Sequence, residues 1–576
     1  MIAGPIFQRE VITAPRQPAH YLLRAGYVLA LFVLMYTAGQ ATFFRQMINT
    51  PGEIARFGGL MFSLFSATQL VLVAFFAPLF AASRIAQEKD RQTLILLLMT
   101  DLRDRELVVG KLLASLLPVG ILIAISAPAL ALVYQLGGVT AEQIGWSLAL
   151  SLATAFAAGS WGNLVAFWRD KTFQTLAISV IGLLLFVAVV EGVVAFAGAD
   201  CQVGRIAGYC NPFRGLALVL DPLGARPDAI IGHVPAGPYV VAPLVVGCLL
   251  NLVAIGRLRV WNPPRAVYEA AKPKADAVSQ LPSRAIWANP ILWREIRTRA
   301  YGAKVMLIKL AYAVLFGLAM LYTTSAMSGD GTKLLGLIGP AAAAFVGLTF
   351  VALLFFNAQS VTSITTERDA KTLELLLVTD ITAREFVFGK LLGAAWNAKE
   401  VLILPLVLLT WVTAQGATTW ENYTYVVIVY LVLAAFSAML GMHAGMSFDS
   451  SRAAIANSLG TMFFLFLGIF ICLLLIIEAR ASFAIQLPSF LVFILGGSIG
   501  LWASLTYKNP APALALAAFL LPFLTFYSIT SFLLGSTLGI CVVLTFTYGF
   551  TTLAMIIPAL SEFDAALGRT TLDRGN

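Results

Sequence analysis

Runs of 18 to 26 apolar residues without a fixed charge recur along this chain, as at Gly58 to Ala82 and Phe173 to Phe196. About 20 such residues in a helix cross a bilayer core, so the runs predict an all-α, polytopic membrane protein. A membrane β-barrel would alternate in polarity over segments of about 10 residues, and a run such as Ile181 to Val190 does not. Only 12% of the 576 residues are charged, against about 25% in soluble domains, which excludes a soluble fold.

The runs divide the chain. Six fall in a first half, residues 1–256, near Tyr27 to Phe44, Gly58 to Ala82, Leu107 to Leu136, Ile144 to Trp168, Phe173 to Ala197 and Tyr239 to Ile255. Residues 257–288 are polar and rich in proline, carry Arg259, Arg265, Lys272, Lys274 and Arg284, and read as a cytoplasmic linker. A second half, residues 289–576, has runs near Val305 to Met327, Leu334 to Asn357, Phe386 to Thr413, Tyr423 to Ser447 and Ala454 to Ile477, then three more near Leu487 to Leu505, Ala511 to Ser531 and Gly535 to Pro558. If Asn509-Pro510 corresponds to Asn211-Pro212, the runs around it form a re-entrant hairpin, and two parallel six-span repeats give about 12 spans. If Lys508 lies in a cytoplasmic turn, the spans number 14. Either count puts both termini in the cytoplasm. Arg9, Arg16 and Arg24 precede the first run without a small-residue cleavage site, so that run reads as a retained span.

The net charge of +9 does not point to nucleic acid, because the basic residues form no single basic domain with interleaved aromatics. They crowd the segments placed inside, as the positive-inside rule requires.

The most informative feature is a repeat. Ile85 to Leu113 reads IAQEKDRQTLILLLMTDLRDRELVVGKLL and Ile364 to Leu392 reads ITTERDAKTLELLLVTDITAREFVFGKLL, identical without a gap at 17 of 29 positions. A weaker echo pairs Gly4 to Glu10 with Asn289 to Glu295, and the basic turn at Arg169 to Lys171 with that around Arg452. The order and membrane side agree, so the halves are parallel repeats about an axis along the membrane normal, enclosing a central interface. Each repeated segment links spans two and three. It opens on charges (Glu88, Asp90; Glu367, Asp369), continues as a short apolar helix from Thr93-Leu94 or Thr372-Leu373, and breaks at Thr-Asp, predicted as an N-cap for a helix starting with Asp101 or Asp380.

The pattern Glu88, Thr93, Leu94, Glu106, Gly110, Lys111, repeated as Glu367, Thr372, Leu373, Glu385, Gly389, Lys390, resembles the type-2 ATP-binding-cassette transporter permease family. Many members carry Pro where this chain has Asp101 and Asp380, and fusion of two halves departs from the commoner single six-span form. The resemblance implies a permease, of exporter type, in a bacterial inner membrane. Its linking helices would dock two copies of a separate ATPase, and the segments Gly4 to Arg24 and Asn289 to Lys304 would lie beside them as connecting helices. A P-loop needs Gly-x-x-x-x-Gly-Lys-Ser/Thr. Gly110-Lys111 has Arg105 in place of the first Gly and Leu112 after the Lys, and Gly389-Lys390 fails likewise. ATP and Mg are therefore expected on the partner, and no cofactor or catalytic residue in this chain. A rival function is an ATPase-driven membrane assembly or signalling module that moves no substrate, which a sealed central interface would favour.

Polar residues within the runs are costly in lipid and are the candidates for a pathway: Glu191 and Glu478 near the outer ends of the fifth spans, Lys399 and Glu400 well inside the ninth, and Asn357 and Gln359, for which polar packing between helices is the commoner use. Membrane lipid is an expected partner, and the substrate is not legible. Of five cysteines, Cys201 and Cys210 fall in a segment placed outside and are candidates for a disulfide. No CxxC or His cluster suggests a metal.

Overall fold

The computed structural model describes residues 4–13, 18–43, 50–90, 93–169, 172–198, 201–221, 236–263, 287–297, 305–327, 338–369, 371–373, 380–479, 483–508, 510–533 and 535–566. In the first half, helices α1 (Gly4–Thr13), α2 (Pro18–Phe43), α3 (Pro51–Asp90), α4 (Thr93–Leu98), α5 (Asp104–Leu136), α6 (Ala141–Trp168) and α7 (Thr172–Ala197) are followed by the short α8 (Gln202–Tyr209) and α9 (Pro212–Leu220) and by α10 (Gly237–Trp261). The second half has α11 (Pro290–Arg297), α12 (Val305–Met327), α13 (Pro340–Asp369), α14 (Ala383–Ala414), α15 (Trp420–Ser447), α16 (Ser451–Ala479), α17 (Phe483–Leu505), α18 (Pro512–Leu533) and α19 (Thr537–Ala566).

Among the described residues 14 helices are long and apolar enough to cross a bilayer, so the protein is an all-α, polytopic membrane protein. The repeat extends well beyond the linking segments. Helices α5 and α14, α6 and α15, and α7 and α16 each begin 279 residues apart. Their caps repeat too: the Thr140 hydroxyl accepts the Gln143 N–H, and that of Thr419 accepts the Asn422 N–H, each satisfying one of the four N–H groups that open a helix.

The halves part company after the fifth span, and this decides the count. Where the first half places the two short helices α8 and α9, with Asn211 capping the latter, the second half places α17 and α18, both of spanning length. Lys508, just past α17, pairs with Asp449 in the turn between α15 and α16, Tyr507 stacks on Phe448 with ring centroids 4.5 Å apart, and the His443 ring lies 2.8 Å from the Leu505 carbonyl. The turn after α17 therefore lies at the same end of the bundle as the α15–α16 turn, and α17 and α18 each traverse it. Of the two counts the sequence allows, the structure has the second: fourteen spanning helices among the described residues, with Lys508 in a turn and α17 and α18 not folded back as a re-entrant hairpin. The Lys508 ammonium, hydrogen-bonded to Asp449, holds that carboxyl below its ordinary range.

The two halves meet over a closed apolar core. Helices α3 and α7 face α12, α13 and α16; Phe75 stacks on Phe463 with centroids 4.1 Å apart, and Phe173 lies edge-on to Phe355 at 5.2 Å. Helix α2 crosses the seam to pack on α16 and α17.

Candidate functional site

Each linking segment leaves one spanning helix and enters the next, so the way its two ends are held determines what a push on it would move. Glu88, in the last turn of α3, accepts hydrogen bonds from Lys111 of α5 at 2.5 Å to both oxygens. Glu367 of α13 accepts from Lys390 of α14 at 2.7 Å. Both pairs are 23 residues apart and clamp the ends of the segment between them.

The second clamp has further members. Lys390 also donates to Glu295 of α11 at 2.6 Å and to the Ser363 carbonyl at 3.2 Å, and Arg294 donates to Glu367. Lys390 and Glu295 are 1% and 2% exposed, so this pair is neutralised in a place that water barely reaches, with Glu367 and the more exposed Arg294 at its rim. The preceding glycine explains the geometry: a Cβ at Gly389 would lie 3.0 Å from Ile291 Cβ, and one at Gly393 would lie 2.5 Å from Glu295 Cβ. Glycine lets α11 approach α14, and the lysine beside it supplies the charge that Glu295 needs. Helix α1 packs on α5 as α11 packs on α14; the side chain of Glu10, the counterpart of Glu295, lies outside the described residues.

A second tie was not anticipated from the sequence. Lys89 donates to the carbonyls of Phe167 and Arg169 at 2.6 and 2.9 Å, and Arg368, its partner in register, donates to those of Gly445, at 2.9 Å, and Phe448. These carbonyls end α6 and α15, where the helix dipole is negative. The clue available in the sequence was a cation kept at the same repeat position, as Lys in one half and Arg in the other. Asp369 accepts from the Ser451 hydroxyl, joining α13 to α16, whereas the Asp90 side chain lies outside the described residues.

Within the first segment Leu94 of α4 is buried, while Leu96 and, just past the helix, Met99 are 64% and 76% exposed. The hydroxyls of Thr93 and Thr372 donate to the carbonyls of Glu88 and Glu367 at 3.3 and 3.1 Å, finishing the preceding helices. Leu373 is half-buried, and residues 374–379 lie outside the described set. The expected N-cap is corrected. Asp101 and Asp380 are exposed in the turn, and the next helix begins three residues later. There the Thr382 hydroxyl accepts the Glu385 N–H at 3.2 Å while Glu385 accepts the Thr382 N–H at 2.9 Å. Such a box satisfies two helix-end donors at once. In the first half Glu106 accepts the Arg103 N–H at 3.3 Å.

The remaining candidates are tied to near neighbours. Glu191 accepts two bonds from Arg214, at 2.6 and 2.7 Å, and one from Asn211, fastening α9 to the end of α7. The Glu478 side chain lies outside the described residues. Glu400 pairs with Lys309 of α12 at 2.7 Å, and Lys399 sits 3.7 Å above the Trp396 ring. Asn357, fully buried, donates to the Ser437 carbonyl at 2.8 Å and accepts from Ser458 at 2.7 Å, so it packs α13 against α15 and α16. Gln359 is buried on the same helix, its Oε1 accepting no bond among the described residues.

Cys201 and Cys210 are free thiols, against the disulfide expected. They flank α8, and at 1.5 Å per residue a helix holds their backbones roughly 13 Å apart, beyond the roughly 7 Å limit for a bridge. Both are expected to alkylate without prior reduction. Mass spectrometry should find Cys201 modified first, because it is exposed and burial pushes the Cys210 thiol up, and the thiolate is the reactive form. A peptide linked at 201–210 would contradict this.

Residues 49–220 match the family described as ABC-2 family transporter protein. The matched region runs from α3 through α9 and includes the first clamp and linking segment. No curated protein and no solved structure matches the chain.

Proposed function

We propose that the ABC-2 transporter domain of residues 49–220 and its repeat in the second half together form the permease of an ATP-binding-cassette exporter, driven by a separate ATPase. Two ATPase copies, carrying ATP and Mg, dock on the two linking segments at the cytoplasmic face, where both termini lie. Residues 1–256 and 289–576 act as the two permease halves and 257–288 as the linker between them.

The observation that supports this reading is the clamp. A segment free at its base would swing without moving the bundle, whereas one held by Glu88–Lys111 or Glu367–Lys390 passes displacement into both helices it joins. Lys89 and Arg368 carry it onward to the turns that end α6 and α15. Closure of the ATPase pair then rotates four spanning helices in each half, and the seam formed by Phe75, Phe463, Phe173 and Phe355 is where the halves part. A seam closed by these rings also suits a module that moves no substrate, so the test includes a transport readout.

The chain is purified with candidate ATPase subunits, and wild type is compared with Leu96→Asp and Met99→Asp, which alter exposed side chains and leave the clamp intact. Retention of the ATPase is expected to fall about tenfold, as when an apolar anchor leaves an interface, with an unchanged yield of folded permease. Unchanged retention with every candidate ATPase would sink the docking assignment. Retention and ATP turnover without movement of any hydrophobic or sugar-linked probe across vesicles would favour the non-transporting module.

A further inference from the structure

Among the described residues, helices α17 and α18 have no spanning counterpart in the first half, and between them and α16 lies a cavity of about 350 Å³, within the roughly 300–1,000 Å³ range of small-ligand sites. Its walls are apolar, and four glycines, Gly460, Gly468, Gly497 and Gly500, leave the space open. A Cβ at Gly497 or Gly500 would meet nothing within 4 Å. The lining on α16 runs from Ala456 to Cys472, about 24 Å at 1.5 Å per residue, most of the roughly 30 Å depth of a bilayer core. The shape is a long slot, and it opens sideways where Ala456 and the 52%-exposed Phe464 line it.

One end is polar. Thr461 and Ser504 share a hydrogen bond at 3.0 Å, Asn457 lines the same end, and its side chain makes no hydrogen bond among the described residues. That end lies toward the turn where Lys508 pairs with Asp449.

We propose that this slot binds one acyl chain of a bilayer phospholipid, with the ester carbonyl toward Asn457, Thr461 and Ser504. The surroundings select that occupant: the slot lies among spanning helices, its open side lies on their outer surface, and its polar side chains gather at one end apart from Thr525, which pairs with Tyr548. Occupancy bears on the seam between the halves. A Cβ at Gly460 would lie 3.9 Å from Phe76 of α3, the neighbouring Phe463 stacks on Phe75, and α17 packs on α2. A chain in the slot braces this seam, whereas among the described residues the seam between α7 and α12 has no such pair of helices over it. The site does not rest on the transport reading.

The test uses the full-length chain in phosphatidylcholine nanodiscs doped with a phosphatidylcholine bearing a diazirine on one acyl chain. After illumination, adducts are expected to concentrate on the slot, at Phe464, Phe493 and their neighbours. Gly497→Phe, which puts a ring into the slot, should lower them about tenfold; Gly496→Phe, on the exposed side of the same helix, should not. Should Gly497→Phe fail to fold, Gly500→Leu serves the same end, and thermal stability is read for each variant. Adducts spread evenly over the lipid-facing surface, or retained when the slot is filled, overturn the proposal. So does labelling by a diazirine fatty acid that excess phospholipid fails to displace, since the occupant would then be a free acid.

Discussion

Lys390→Met is expected to lower the thermal stability of the detergent-solubilised protein more than any other single replacement of a charged residue. The methionine fills much of the same volume, so packing changes little. What changes is charge: Glu295, 2% exposed, and Glu367, 16% exposed, are left without the ammonium they share. Removing one partner from a buried ionic group costs about 3–5 kcal/mol, because the remaining charge stays buried and uncompensated. Arg294 still reaches Glu367, but Glu295 would keep only the long 3.4 Å contact with that same guanidinium. The matched experiment is Lys111→Met, where Glu88 is 31% exposed and can turn to water, so the loss should be clearly smaller. Adding Glu295→Gln and Glu367→Gln to Lys390→Met should recover most of the stability, since neutral groups replace the whole network. Melting curves read by size-exclusion chromatography after heating decide it. A single mutant as stable as wild type, or a triple mutant no better than the single, would show that the cluster is solvated and the clamp weak.

That expectation was only half available from the sequence. The repeated motif supplied Glu88, Lys111, Glu367 and Lys390 as residues under a shared constraint, and the resemblance attached them to ATPase docking. Their shared identity has a nearer cause in the pairing of the two ends of each segment. A 23-residue separation has no helical or strand periodicity to reveal it, and Glu295, 95 residues from Lys390, less still. The exposed surface of the first segment includes Leu96 and Met99 beside Thr93 and Asp101, and hydropathy alone reads the first two as ordinary membrane residues. The count of spans stayed open between twelve and fourteen for a similar reason. Apolar runs such as Leu487 to Leu505 suit a re-entrant hairpin and a spanning pair equally, and the choice rests on the Asp449–Lys508 contact, 59 residues apart. The spans themselves, the linking segments and the parallel repeat were legible, because lipid imposes length and hydrophobicity residue by residue. Intramembrane charge was legible as a cost but not as a pairing: Glu400 finds Lys309, and Lys399 finds the Trp396 ring.

Gly162→Ala and Gly441→Ala are expected to produce comparable losses of folded protein in the two halves, although the surrounding residues differ. These glycines occupy the same register, 279 residues apart, and each marks a close approach of two spanning helices. A Cβ on Gly162 would lie 2.8 Å from Pro78 Cα in α3, and one on Gly441 would lie 2.6 Å from the Asn357 carbonyl in α13. Both neighbours are backbone, which cannot rotate aside, so the helices must separate and give up the contacts that small residues permit in a membrane. At Gly441 the separation also strains the Asn357 bond to the Ser437 carbonyl and the Ser437 bond to the Leu353 carbonyl, at 2.8 and 2.6 Å. Overpacking of this kind costs about 1–3 kcal/mol or more for a single added carbon. Gly445→Ala supplies the scale: its Cβ would sit 3.2 Å from the Val361 carbonyl, near enough to press but not to clash, and the loss there should be small. Gly549→Ala, with nothing within 4 Å of the added carbon, should be neutral. The order Gly441 and Gly162 well below Gly445, and Gly445 below Gly549, in melting temperature and monodisperse yield is the expected result. If Gly441→Ala melts with wild type, the α13–α15 crossing is looser than drawn, and the match between the two halves does not extend to their packing.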